Sequence, residues 1–370
     1  MRIREVKHLT NILVTGVGGI GGNNLVRALK LAEEQTNTKL FIVGTDHNPY
    51  YLQMPQVDVR FVSPRHDDPT FVSTLLKLIK KYKVQFLHPH PSSEARIVSE
   101  SLTLFENADV GTYLPRSSSI APDKFKIFNT LSQHGVPTPK TTVINSLDDV
   151  DAAFAKIGLT VWIRAKSGAG GRLSLKVNTP EEARLWVKLN ALQGRANIDD
   201  FILQEYLSGK DLAFDSLWFR GKLVTSYARE RLEYPLKHVS LSGITATPSV
   251  AKIIHEKQVN RVGIDAVKAL DPKPHGFFSV DIKCNATGKP VVTEVDGKWH
   301  TTAPLWGYAF AKAFSKPELN IAYLYLKLGL SGNLSEDLPS TNLFPSNYYL
   351  IRQLDAGVIL KCDDRTWKIV

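Results

Sequence analysis

Short apolar runs alternate with segments of helical spacing over the first hundred or so residues. Ile12, Leu13 and Val14 lead into the glycine-rich stretch Gly16 to Gly22, and the following NNLVRALKLAEE repeats apolar positions at Leu25, Leu29 and Ala32, along one helix face. A second run, LFIVGTD, ends at Asp46; FVSTLLKLIKKY over 71–82 has helical spacing; a third run, VQFLH, ends at His88. Strands alternating with amphipathic helices predict a parallel sheet with helices on both faces, assigned to residues 1–115.

The pattern changes near residue 116. Asp123 to Gly135 reads as a helix, stopped by that glycine and by Pro137 and Pro139. A helix near 147–156, a strand at 161–165, a loop SGAGGR at 167–172, a strand at 173–177 and a helix opening at Thr179 and Pro180 complete a small α+β lobe over 116–205. Residues 206–370 carry several extended stretches, with a helix near 253–269, a polar surface loop at 331–347 and a terminal hairpin or small sheet.

Composition narrows the class. With 370 residues, 43% hydrophobic and 22% charged, the chain can bury a substantial core in two or three lobes, so disorder is not the leading reading. No run reaches the roughly 18 apolar residues of a membrane span, and MRIREVKHLTN lacks the apolar stretch of a secretory leader, so a cytoplasmic location is the expectation. Cys284 and Cys362 fall in no C-x-x-C arrangement and read as ordinary buried thiols. The net charge of +10 is scattered along the chain, which fits a basic cleft for anionic substrates better than a nucleic-acid stripe.

Two glycine-rich segments compete for the chemistry. GVGGIGG after the first strand allows a dinucleotide site, with Asp46, 25 residues past Gly21, as the acid on the ribose; the same loop serves close helix–strand packing with no ligand. SGAGGR, with Arg164 and Lys166 at its base, has the glycines and cations of a flap over phosphates, and lacks the Gly-Lys-Ser/Thr of a Walker loop. Asp281 and Glu294, on extended runs joined by the turn NATGK, can reach one end of a hairpin. Paired carboxylates beside a phosphate loop are what magnesium requires.

Taken in order, PDKFKIFNTLSQHG, VWIRAKSGAGGR, ILQEYLSGKDL and FSVDIKCNATGKPVVTEVDGKW resemble the ATP-grasp superfamily, most closely the modules of the carbamoyl phosphate synthetase large subunit. The resemblance covers nearly the whole chain. It implies a Rossmann-like pre-ATP-grasp domain followed by a two-lobed ATP-grasp domain. Lys124, Arg164, Lys166 and the flap glycines Gly168, Gly170 and Gly171 would meet the phosphates of ATP; Gln204, Glu205, Tyr206 and Leu207 the adenine; and Asp211 the ribose. Asp281, Glu294 and Asp296 would hold one or two magnesium ions, with manganese able to stand in. Asp296 stands where the family commonly has Asn, and Gly297-Lys298 replaces Pro-Arg.

The implied activity is an ADP-forming ligation of a small-molecule carboxylic acid to an amine through an acyl phosphate. Arg164 and Lys298 are expected at the reacting groups. Arg229 and Arg231 form a candidate grip for the acid, with one of the two facing the cleft and a solvated strand as the alternative. HPHPSSE, 88–94, can border the cleft without His88 or His90 binding metal, while Trp299, His300, Trp306 and Tyr308 shape a pocket or the core. The competing readings are a nicotinamide-dependent oxidoreductase, a silent nucleotide-binding protein and a kinase-like enzyme. A homodimer is the default assembly.

Overall fold

The computed structural model describes residues 9–167, 171, 173–243, 245, 247–353 and 357–369. The expected flap glycines Gly168 and Gly170 lie outside the described residues. Three sheets organise the chain, and each begins where the sequence pattern changes.

The first comprises β1 (Leu9–Thr15), β2 (Lys39–Asp46), β3 (Val59–Val62), β4 (Phe86–Pro89) and the short β5 (Gly111–Thr112), interleaved with α1 (Ile20–Gln35), α2 (Phe71–Tyr82), α3 (Ser92–Glu100) and α4 (Leu102–Glu106). The order is β3-β2-β1-β4-β5, with every pairing parallel. The strand order therefore reverses beside β1, the crevice where open α/β sheets place ligands. Leu13 and Val43 face the helix α2, through Leu75 and Leu78, in one of the apolar cores.

The second sheet is small. α5 (Lys124–Gln133) leads to β6 (Thr141–Val143), α6 (Asp149–Ile157), β7 (Val161–Ala165), β8 (Leu175–Val177), α7 (Pro180–Leu192) and β9 (Phe201–Glu205), with sheet order β6-β9-β7-β8. Asp123 caps α5 by accepting from the Lys126 amide at 2.8 Å, and Thr179 caps α7 ahead of Pro180. Both helix starts are encoded locally.

The third sheet has β10 (Asp211–Phe219), β11 (Lys222–Glu233) and β12 (Val250–Ile254), then α8 (Lys257–Leu270), β13 (Gly276–Cys284) and β14 (Pro290–Asp296). After α9 (Ala303–Phe314) and α10 (Ile321–Ser331) come β15 (Tyr349–Gln353), β16 (Gly357–Lys361) and β17 (Thr366–Lys368). The expected terminal hairpin forms, β15 pairing with β16 and β16 with β17, and because β15 also pairs with β12 these strands extend one eight-stranded sheet. The pairing with β12 spans nearly a hundred residues and has no local signal.

α9 and α10 carry no amphipathic signature. Every residue from Ala303 to Ala311 is buried, as in a helix enclosed on all sides. They pack on α1 in one apolar cluster with Leu25, Leu29, Trp306 and Phe310. Asn320 caps α10 through the Tyr323 amide and donates at 2.7 Å to the Ala28 carbonyl of α1. The segment after β14 thereby fastens the third sheet to the first. No helix among the described residues is long and apolar enough to cross a membrane.

Candidate active site

Between the second and third sheets lies a cleft of about 420 Å³. From the smaller sheet and the linker after it come Trp162, Arg164, Gln204, Glu205, Tyr206 and Leu207; from the larger come Asp211, Arg231, Asp281 and Glu294. The linker is held at both ends. Gln204 donates from Nε2 to Thr141 Oγ1 at 2.9 Å, and the Glu205 amide to the Lys140 carbonyl at 2.8 Å. Gly209 donates to the Cys284 carbonyl at 2.9 Å, and a Cβ on Gly209 would stand 2.7 Å from that oxygen, so only glycine passes there.

Register brings the two expected metal carboxylates together: Asp281 and Glu294 are directly paired across β13 and β14. Around Glu294 three cations converge. Arg164 Nη2 lies 3.0 Å from its carboxylate, Lys298 Nζ 3.2 Å and Lys124 Nζ 3.7 Å. Burial alone would raise the acid's pKa; Lys298, Lys124 and Arg164 outweigh it and bring Glu294 down to about 2. Lys124, the first residue of α5 and 5% exposed, is pushed down by its own desolvation.

Asp281 sits in a second network. Burial opposes its charge, but Arg231 and His300 hold its pKa well below the ordinary carboxylate value. Arg231 reaches Asp281 and, at 3.3 Å, Asp211, whose other oxygen accepts from Tyr234 at 2.8 Å. His300 spans two carboxylates, with Nε2 2.9 Å from Asp281 and Nδ1 2.7 Å from Asp215. Asp215 is wholly buried and ion-paired to Arg229. Desolvation lowers the His300 pKa to about 4, against the pull of Asp281, which raises it.

Several expectations are corrected by this geometry. Arg229 and Arg231 are two apart on a strand and share a face, yet as expected only one of them faces the cleft. What separates them is depth: Arg231 lines the cleft, whereas Arg229, 1% exposed, is committed to Asp215 and does not line it. The solvated-strand alternative fails on the same burial. Asp296 does not join the other two carboxylates. Its oxygens are taken by the Ala121 amide and by Lys298 Nζ, each at 2.8 Å, and burial raises its pKa. Among the described residues no three acidic, histidine or cysteine side chains are grouped to hold a metal. Lys166 contributes backbone, accepting from the Lys124 amide and donating to the Asp200 carbonyl; its side chain lines neither large cavity. Gly171 does line the cleft. His300, expected in a pocket or the core, does line the cleft; that it joins Asp215 to Asp281, and that Tyr234 holds Asp211, sequence reasoning left out, since only register and a loop crossing unite them.

The N-terminal glycine turn is filled by protein. Gly18 donates its amide to Asp46 Oδ2 at 2.9 Å, so the acid expected on a ribose instead closes the loop. A Cβ on Gly21 would lie 2.1 Å from His90 Nε2, because the imidazole occupies the space over the turn. His90 is hydrogen-bonded at 3.1 Å to His88, which bonds Tyr325 of α10 at the same distance. Asn24 of α1 also donates to the Thr301 carbonyl at 3.0 Å. The turn serves packing against the loop that follows β14.

A Rossmann-like sheet followed by two antiparallel sheets facing each other across a cleft is the architecture of an ATP-grasp protein. Residues 121–302 match the family model described as the ATP-grasp domain, so this part of the chain is an ATP-grasp domain. Among curated relatives, 97 residues are 34% identical to the carbamoyl phosphate synthase large chain of Methanoregula boonei, covering 25% of this chain and 9% of that one. The chain thus spans a small part of the synthase. A stretch of 220 residues is 25% identical to the glutamate–LysW ligase ArgX of Sulfolobus acidocaldarius, covering 59% of this chain and 74% of the ligase. Among solved structures, the biotin carboxylase domain of Hydrogenobacter thermophilus 2-oxoglutarate carboxylase, described with MgADP and bicarbonate, superposes with a TM-score of 0.67 at 14% identity, over 92% of this chain and 73% of that one.

Proposed function

We propose that the chain is an ATP- and magnesium-dependent, ADP-forming ligase that activates a small-molecule carboxylic acid as an acyl phosphate and couples it to an amine. The observation that carries this reading is the convergence of Lys124, Arg164 and Lys298 on Glu294, with Asp281 paired beside it on the wall of the cleft. The family match and the ligase among the curated relatives support it.

The cleft fits a nucleotide. Tyr206, Leu207 and Trp162 offer apolar and aromatic surface for a base, with the linker backbone beside them to read its edge. Asp211 is the proposed ribose acceptor, held in place by Tyr234 and Arg231. Asp281 and Glu294 suit magnesium, which takes only one or two protein carboxylates and fills its remaining positions with phosphate oxygens and water. When bound there, the ion would neutralise charge developing on the phosphate oxygens.

In the resting chain the two carboxylates and the cations neutralise one another. Magnesium alone would displace cations into a buried site, and nucleotide alone would strip the carboxylates of their partners; each is costly where burial is deep. Binding of the two together exchanges partners on both sides and leaves no orphaned charge. Arg164, Lys124 and Lys298 then face the transferring phosphoryl group, where preorganised charge lowers the barrier. Attack of the acid oxygen on the γ-phosphorus forms an acyl phosphate as the bond to ADP breaks, and the amine displaces phosphate from the acyl carbon.

The test is ADP release and hydroxamate formation with Mg-ATP, hydroxylamine as acceptor and a panel of small acids. Hydroxamate that depends on acid, ATP and magnesium supports the ligase. ADP release with a stable phosphorylated product and no hydroxamate would replace it with the kinase-like reading. A homodimer is the assembly proposed, since the carboxylase neighbour is described as a domain dimer; sedimentation at the monomer mass would remove it.

A further inference from the structure

Behind the wall of the cleft runs a line of side chains that the reading above does not use: Arg229, Asp215 and His300, ending on the carboxylate of Asp281. Resting on that reading, in which Asp281 meets magnesium, we propose that His300 is a positioning residue of the metal site. It is braced by the buried Asp215–Arg229 pair, and together with Arg231 it occupies one oxygen of Asp281, so that the other is the oxygen offered to the ion.

Strand register lays out the line. Asp211, Ala213 and Asp215 fall at every second position of β10 and share a face. Ala213 is paired with Asp281 of β13 on one side and with Arg229 of β11 on the other, while Asp215 is paired with Ser279. Asp215 and Asp281 are thus one step apart on neighbouring strands, with only an alanine methyl in the row between Asp281 and Arg229. His300 bridges the two acids, with Nδ1 2.7 Å from Asp215 Oδ1 and Nε2 2.9 Å from Asp281 Oδ1.

The brace is rigid. Asp215 is fully buried on β10, which lies between β13 and β11, and its partner Arg229 is buried with it. A buried ion pair adds little net stability over apolar residues of the same volume, which leaves fixing its neighbours as its use. The backbone of His300 is held as well. Ser279 donates to the Lys298 carbonyl at 2.5 Å, the Ala303 amide to the His300 carbonyl at 2.9 Å, and Asn24 to the Thr301 carbonyl at 3.0 Å.

The far end of the line is where position matters. The last torsion of an aspartate is broad, so a carboxylate turns unless its neighbours stop it. Arg231 Nη2 at 2.5 Å and His300 Nε2 at 2.9 Å meet the same oxygen, Oδ1. An ionised carboxylate only accepts, so the imidazole supplies the N–H of its bond to Asp281. Two partners on one oxygen set the carboxylate plane and leave Oδ2 as the open position. Magnesium demands near-octahedral geometry from few protein oxygens and gains from a ligand set in this way. Partners of this kind, which touch a ligand and not the metal, govern metal affinity in other sites.

The experiment measures Mn2+ binding to the full chain with ADP, by electron paramagnetic resonance, with no acid or amine present. His300→Asn keeps an amide nitrogen near the place of Nδ1, and with it the bond to Asp215, but loses the reach to Asp281. His300→Gln puts its amide nitrogen near the place of Nε2. The expected result is a Kd for Mn2+ raised at least about tenfold in His300→Asn and restored to within about threefold of wild type in His300→Gln. The metal-free Tm of His300→Asn should stay within about 4 °C of wild type. An unchanged Kd in His300→Asn, or an equal loss in His300→Gln, overturns the inference. Should a variant fail to fold, the structure of the wild-type chain with Mn2+ and ADP decides: one Asp281 oxygen on the metal with His300 on the other supports the inference, and chelation through both oxygens or a His300 turned away overturns it. A wild-type chain that binds no Mn2+ with ADP takes down the metal assignment and the inference together. The expected pattern in a chain that joins no acid to an amine supports the inference and removes the ligase reading.

Discussion

At the end of β1 the Gly18 amide is taken by Asp46 and the space over Gly21 is occupied by His90, whereas on β14 the carboxylate of Glu294 meets three cations at the edge of an open cleft. Both regions advertise phosphate chemistry in the sequence, one by its glycines and the other by glycines, cations and carboxylates together. Only the second has volume to receive a ligand. A glycine turn at a strand–helix junction reports close packing as readily as ligand approach, and what separates the two uses is whether a side chain from elsewhere fills the turn.

Four outcomes would sharpen or break that contrast. The largest effect is expected from Glu294→Gln, which should cost at least about 10²-fold in turnover by removing a charge that orders the reacting groups. The same change should lower stability, since three cations lose their counter-charge. Because the folded pKa of Glu294 is about 2 against an ordinary 4.5, its stabilisation is fully present above pH 4.5 and is lost as pH falls toward 2. The melting temperatures of wild type and variant should therefore differ at pH 7 and converge over that window; a constant gap would contradict the pairing.

Next, Arg164→Ala should lower kcat/KM for ATP by about 10²-fold while moving Tm by less than about 4 °C, because Lys298 and Lys124 still neutralise Glu294. A large loss of stability with normal ATP use would reassign Arg164 to the scaffold. Third, saturating Mg-ATP at about 100 times its Kd should add about 2.7 kcal/mol to folding stability, with ATP plus EDTA giving much less and NAD nothing. Stabilisation by NAD would reopen the N-terminal turn as a site. The smallest effect is that of Gly21→Ala, whose added methyl must push His90 aside; a cost of about 1–3 kcal/mol in urea unfolding is expected, with the KM for ATP unchanged.

Much of the architecture was legible because its signals are local. The Asp123 and Thr179 caps, the alternation of strands with amphipathic helices before residue 115, and the order of Lys124, Arg164, Gln204, Asp281 and Glu294 all lie within short windows. α9 and α10 were not legible for the opposite reason. A helix buried on every side shows no period of 3.6, and its apolar run cannot be told from a strand without length and context. The attachment of β15 to β12 and the relation of Asp215, His300 and Asp281 depend on residues far apart in sequence, which no local pattern encodes.

The chain's residue order alone determined the succession of elements, the family it resembles, and the carriers of charge in the region from Lys124 to Lys298, because propensity, capping and hydrophobic period act over a few residues. Tertiary structure alone decided which of those charges meet. Register paired Asp281 with Glu294, depth withdrew Arg229 into an ion pair with Asp215, and the segment before α5 together with the turn after β14 committed Asp296 to the Ala121 amide and Lys298. A charge is free to act on a ligand only where folding leaves it beside a cavity with its counter-charge exchangeable, and that depends on the side chains brought against it by distant parts of the chain.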